Sequence, residues 1–104
     1  MEARTEKEVE IHVKLREGRI DMGEKYAYAV EAGATIKWVC AQPLAILLEW
    51  DAPFEIKYKS AKSTVVQATK EGVPNRLYKY GIAVFDGEKV LTLDPVLVFA
   101  PPRG

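Results

Sequence analysis

Residues 76–85 read Arg-Leu-Tyr-Lys-Tyr-Gly-Ile-Ala-Val-Phe. Tyr78, Tyr80, Ile82 and Val84 recur at every second position. On an extended strand they share one face, because successive side chains point to opposite sides. On a helix they would split between two sides of the axis. This is the longest strand that the sequence predicts, and Asp86-Gly87 after it is a strong turn signal.

The same period of two continues outward in both directions. Val9, Ile11, Val13 and Leu15 alternate with Glu8, Glu10, His12, Lys14 and Arg16, up to a turn at Glu17-Gly18-Arg19. Tyr26, Tyr28 and Val30 form a second row, and Glu31-Ala32-Gly33-Ala34 turns the chain. Ile36, Trp38 and Cys40 share one face of the next strand. After Gln42-Pro43, residues 44–50 are apolar except for Glu49, as in a strand covered on both sides. Asp51-Ala52-Pro53 turns again, and Phe54, Ile56 and Tyr58 form one row against Glu55, Lys57 and Lys59.

Residues 59–63 read as a polar loop, residues 64–68 as a short strand, and residues 70–75, with Gly72 and Pro74, as another loop. Residues 90–93 and 96–99 are the last strands. Asp94-Pro95 between them predicts a bulge or a crossing between sheets, because proline has no N–H for a ladder. About eight short strands and no helix are the pattern of an all-β domain. The expected fold is an antiparallel Greek-key β-sandwich, with an immunoglobulin-like sandwich as the alternative. At 104 residues the chain suits one core, so residues 1–104 are expected to form a single domain.

Composition excludes several classes. Hydrophobic residues at 48% and charged residues at 29% belong to a globular chain and not to a disordered one. Fifteen basic residues balance fifteen acidic ones, so no overall field draws the chain to nucleic acid or an anionic membrane. A local excess exists between Lys57 and Lys79, where six bases face the single acid Glu71. Cys40 is the only cysteine, which rules out an internal disulfide, and with one histidine, His12, the chain lacks the ligands of a structural zinc site. No apolar run approaches the length of a membrane helix, and the first residues do not look like a signal peptide. A cytoplasmic location is expected, although an exported chain with its leader trimmed would read the same.

Thr35-Ile36-Lys37-Trp38-Val39 resembles the strand that precedes the first copper ligand of cupredoxins. Tyr78-Lys79-Tyr80-Gly81-Ile82 resembles the strand that carries their cysteine ligand, and Thr92-Leu93-Asp94-Pro95 is similar to a segment near the end of degenerate bacterial members. The resemblance runs from about Tyr26 onward. It implies a cupredoxin-like scaffold without type 1 copper. Ile82 stands where the cysteine ligand belongs, Phe85 where a histidine belongs, and no histidine occurs among residues 43–46. Copper of this type needs thiolate and imidazole together.

Candidate chemistry is sparse. His12 falls on a charged strand face and Cys40 on an apolar one, so neither is expected to bind metal. Lys59, Ser60, Lys62 and Ser63 read more simply as a polar loop than as a Ser-Lys catalytic pair. Glu49 with Asp51, and Asp86 with Glu88, read as solvated charges and not as acid–base pairs. Tyr78 and Tyr80 alternate with Lys79, which separates the aromatic and basic groups that a nucleic-acid stacking site needs together. No catalytic residue, cofactor or metal is expected.

The apolar strand over residues 44–48 is more informative. If Ile46 and Leu48 face inward, Ala45 and Leu47 face outward, and Leu97 and Phe99 of the last strand join them in an outward row. Such a row suits a homodimer or a protein partner. The expected function is therefore a non-enzymatic scaffold or protein-interaction domain. The alternatives are a metal-binding or electron-transfer protein with a non-standard site and, behind it, a nucleic-acid-binding module.

Overall fold

The computed structural model describes residues 8–23, 27–30, 32–49, 52–69 and 76–99. These residues form ten strands and no helix: β1 (Glu8–Arg16), β2 (Arg19–Asp21), β3 (Ala27–Val30), β4 (Thr35–Cys40), β5 (Leu44–Leu48), β6 (Phe54–Lys59), β7 (Ser63–Ala68), β8 (Leu77–Phe85), β9 (Val90–Leu93) and β10 (Val96–Phe99). One five-stranded sheet has the order β2-β1-β4-β7-β6. The other has the order β3-β10-β8-β5, with β9 also paired to β8. The predicted loop over residues 70–75 and the residue Tyr26 lie outside the described residues.

The two sheets share one core. Ile11, Val13, Ile36, Trp38, Cys40 and Val66 enter it from the first sheet. Tyr78, Tyr80, Ile82 and Val84, the row read from the sequence, enter it from β8 with Leu44, Ile46 and Leu97 beside them. Full burial of each aliphatic side chain contributes roughly 1.5–3 kcal/mol, which is the main force holding the layers together. Trp38 and Tyr80 join them directly: the indole Nε1–H donates to the Tyr80 hydroxyl at 3.1 Å, and the ring centroids lie 4.9 Å apart. Thr64, opposite Trp38 in the register, is a fully buried polar residue whose Oγ1 has no hydrogen-bond partner among the described residues.

Four expectations are corrected. First, the sheets are mixed and not purely antiparallel: β1 runs parallel to β4, and β3 parallel to β10. Chain alternation tells which face a residue occupies but not which strand lies alongside. Here the chain leaves β1 by the short hairpin to β2, passes through β3 in the other sheet, and only then returns to β4. Second, β2 is a short strand additional to those predicted. It is set by Glu17 and Gly18, whose φ values of 53° and 74° make a tight two-residue reversal.

Third, Tyr58 does not share a face with Phe54 and Ile56. The register slips between Ile56, opposite Val66, and Tyr58, opposite Val65, so the extra residue Lys57 is a bulge that sends Tyr58 outward. β6 also runs on to Lys59, which shortens the predicted loop. Fourth, Asp94-Pro95 is neither a bulge nor a crossing. Lys79 faces Val96 and Ile82 faces Leu93, three positions on in each strand, so the register is unshifted. The Tyr80 N–H donates to the Pro95 carbonyl at 3.1 Å, and proline simply cannot return the bond.

Candidate functional site

The two outward faces differ in chemistry. On the first sheet β1 presents Glu8, Glu10, His12, Lys14 and Arg16, with Lys37 from β4 alongside. The His12 Nε2 lies 2.9 Å from Glu10 Oε1, both side chains being largely exposed. This is a solvated charged face, and such pairs contribute little to stability.

The second sheet turns outward a face with an apolar centre. β8 alternates strictly, so that while Tyr78, Tyr80, Ile82 and Val84 point inward, Leu77, Lys79, Gly81, Ala83 and Phe85 point outward. The cross-strand register then places Ala45, Ala83 and Thr92 in one row, and Leu47 and Gly81 in the next. Val90 stands opposite Phe85. Because Gly81 has no side chain, Leu47 leans across it: a Cβ there would meet Leu47 Cβ at 3.5 Å and Asp94 Oδ1 at 3.9 Å. Lys79, Glu49 and Asp94 supply a polar rim, with the Lys79 N–H donating to Glu49 Oε1 at 3.2 Å. An apolar centre with a polar rim is the usual anatomy of an interaction surface.

Of the four residues predicted for such a surface, two are brought together. Leu47 is 58% exposed and Ala45, on the same side of β5, is half-buried. The outer side of this strand, expected to be covered by a loop or by a partner, is open among the described residues. Leu97 is corrected. It is 0% exposed, a core residue opposite the inward-facing Tyr78. Residues 96–99 are all apolar, so alternation alone could not assign inside and outside, and only the register against β8 decides it. The backbone of Phe99 pairs with Val30, but its side chain lies outside the described residues. Leu77, Phe85 and Val90 belong to the exposed face and were not singled out from the sequence. Leu77 and Phe85 were readable there as the complement of the Tyr78–Val84 row.

The remaining candidates are placed individually. Cys40 is buried, with its thiol 3.6 Å from Gln42 Oε1, on the opposite side of the first sheet from His12. At the positions that the cupredoxin resemblance gives to copper ligands, Ile82 lies in the core and Phe85 is partly exposed. Neither side chain can ligate copper, so the donor set does not fit that metal. Among the described residues no three His, Cys, Asp or Glu side chains cluster. The Ser60 hydroxyl lies 2.9 Å from that of Ser63 and accepts from the Lys62 N–H, closing a turn.

The Asp86 carboxylate accepts from the Glu88 and Lys89 N–H groups at 2.8 and 2.9 Å. Those bonds, that from Lys89 first, hold its carboxyl below the usual range. Asp51 lies outside the described residues. Tyr78 and Tyr80 are buried while Tyr58 is exposed on the other sheet, so these three tyrosines do not form one stacking platform. No helix among the described residues is long and apolar enough to cross a membrane.

Comparison with protein-family models finds no match, and comparison with curated proteins finds none either.

Proposed function

We propose that this chain is a non-enzymatic protein-interaction domain that presents the outer face of its β5–β8–β9 layer to a protein partner. The observation that carries this reading is the distribution of exposed apolar groups. The large exposed hydrophobics among the described residues are Leu47, Tyr58, Leu77, Phe85 and Val90, and all except Tyr58 lie on that one face. A scattered exposed Leu is ordinary, whereas a one-sided concentration marks a contact surface.

The scaffold fits the same reading. Two sheets around Trp38 and Tyr80 are compatible with a Greek-key, cupredoxin-like sandwich, and Ile82 and Phe85 at the ligand positions support a version without copper. Protein titrated with Cu(II) should accordingly stay free of the intense visible thiolate-to-copper band. As part of this reading the domain works in the cytoplasm, where a single buried free thiol is stable and no disulfide is needed.

A photo-crosslinking residue placed at Thr92, on the apolar face, tests the proposal against one placed at Lys37, on the charged face. In the native host, Thr92 should capture a defined protein and Lys37 should not. The Leu77→Lys/Phe85→Lys double variant should abolish the capture while keeping the circular-dichroism spectrum. Equal capture from both faces, or capture indifferent to the double variant, would overturn the reading.

A further inference from the structure

The strand that borders the apolar face is also an open sheet edge. β5 ends its sheet, with β8 on one side and no strand on the other among the described residues. In an antiparallel ladder the residues that bond a given neighbour alternate. The Phe85 N–H donates to the Pro43 carbonyl at 3.0 Å, so Pro43, Ala45 and Leu47 direct their backbone groups to β8. Leu44, Ile46 and Leu48 direct theirs away from it. The Leu44 N–H is taken by the Ala61 carbonyl at 2.9 Å. The outward groups of Ile46 and Leu48 have no partner among the described residues.

Natural sheets guard such edges with charge, proline, bulges or brevity. β6, one edge of the first sheet, carries Glu55, Lys57, Lys59 and a bulge. β2, the other, is three residues long and holds Arg19 and Asp21. β5 reads Leu-Ala-Ile-Leu-Leu, carries no charge, proline or bulge, and among the described residues is covered by a loop at Leu44 but not at Ile46 or Leu48.

We propose that β5 is the seam of a two-fold homodimer, pairing antiparallel with itself about Leu47. This goes beyond the interaction reading above: it gives the edge of the layer to a second copy of the chain and leaves the β8–β9 face to the protein partner. The free groups come in two sets that flank one residue, which is the arrangement a two-fold axis requires. With the axis at Leu47, Ile46 meets the partner's Leu48 and Leu48 meets the partner's Ile46, giving four backbone hydrogen bonds. Leu47 meets the partner's Leu47 at a close, non-bonded position on the apolar face, where each covers the other's exposed side chain.

The Ala61–Leu44 bond argues against the neighbouring register. An axis at Ile46 would bring the partner's Leu48 to the place that Ala61 already fills. Like charges do not meet either, because Glu49 falls beside the partner's Ala45. The pairing makes the two β5-containing sheets continuous, as in strand addition at other open edges. The seam is short, so the dimer should be weak and reversible.

Sedimentation from low to high micromolar concentration should show a monomer–dimer equilibrium. Leu47→Cys supplies an accessible thiol in a chain whose own cysteine, Cys40, is buried. Facing cysteines at a close antiparallel position are within disulfide reach, so mild oxidation should give a covalent dimer. Ala45→Cys, on the same strand and side, should not. Leu47→Lys and Leu47→Glu should each weaken dimerisation by about a hundredfold or more, since like charges would face across the axis. Mixing the two variants should restore a dimer.

A wild-type monomer at every concentration would overturn the dimer, while the capture experiment at Thr92 would still decide the interaction reading. A dimer that survives Leu47→Lys but is lost in Leu77→Lys/Phe85→Lys would also overturn the β5 seam, because contact would then be face to face. Should Leu47→Lys fail to fold, the contrast between the cysteine variants at Leu47 and Ala45 still separates these results.

Discussion

Replacing Tyr80 with Phe removes one oxygen atom from the core and leaves its packing nearly untouched. The rings of Trp38 and Tyr80 lie 4.9 Å apart, inclined at 58°, and a Phe ring can occupy the same place. What is lost is the acceptor at 3.1 Å from the Trp38 Nε1–H. Trp38 is fully buried, so water cannot replace that acceptor. Leaving a buried donor unsatisfied costs about 1–3 kcal/mol, against a total stability of about 5–15 kcal/mol for a domain. For a domain of this size each kcal/mol corresponds to roughly 4–8 °C in Tm, so the variant should melt at least about 4 °C lower. Urea denaturation followed by circular dichroism should show a lower midpoint with an unchanged slope. The Trp38→Phe/Tyr80→Phe double variant should lose less than the sum of the single losses, by about 0.5–3 kcal/mol, because the two groups are coupled. A Tyr80→Phe protein as stable as the wild type, or strict additivity, would refute the claim that this bond joins the sheets.

The other predictions concern residues whose surroundings differ from what their type suggests. Thr64→Val removes a buried hydroxyl with no partner among the described residues, at nearly constant volume, and should raise stability by about 1–2 kcal/mol in the same urea assay. Leu97→Ala should lower stability by about 2–5 kcal/mol as a core truncation, whereas Leu47→Ala, measured where the chain is monomeric, should stay within about 0.5 kcal/mol. Glu17→Asn relieves a non-glycine residue at φ 53° and should stabilise the β1–β2 turn by about 1 kcal/mol, read from the thermal midpoint. The Asp86 carboxyl is depressed by the Lys89 and Glu88 N–H groups, so its contribution is fully present above the ordinary carboxylate range. That contribution is lost as pH falls through the lowered folded value, and the stability difference between wild type and Asp86→Asn should shrink in acid titrations over that window.

Much of the architecture was determined by the sequence alone. Period-two alternation fixed the all-β class, and it fixed Trp38, Tyr80, Ile82 and Val84 as core, because the side-chain period of a strand is a local property of its backbone. It also pointed to part of the exposed apolar face, Ala45 and Leu47. Ile46 and Leu48 could not share a side with Leu47, so one of the two rows had to face outward. What alternation could not supply was the neighbour of each strand, since pairing joins residues far apart in the chain.

Tertiary structure alone set β1 parallel to β4 and kept β9 and β10 in one unbroken register along β8 across Pro95. It also sent Tyr58 outward through a bulge that no residue type announces. Leu97 shows the limit most clearly. In a strand that is apolar on both sides, neither row is marked, and the choice between core and surface passed to the register with Tyr78. The open edge of β5 is of the same kind: whether Ile46 and Leu48 offer their backbone groups to solvent follows from sheet order, which depends on which strand the chain places beside β8 and which it leaves last.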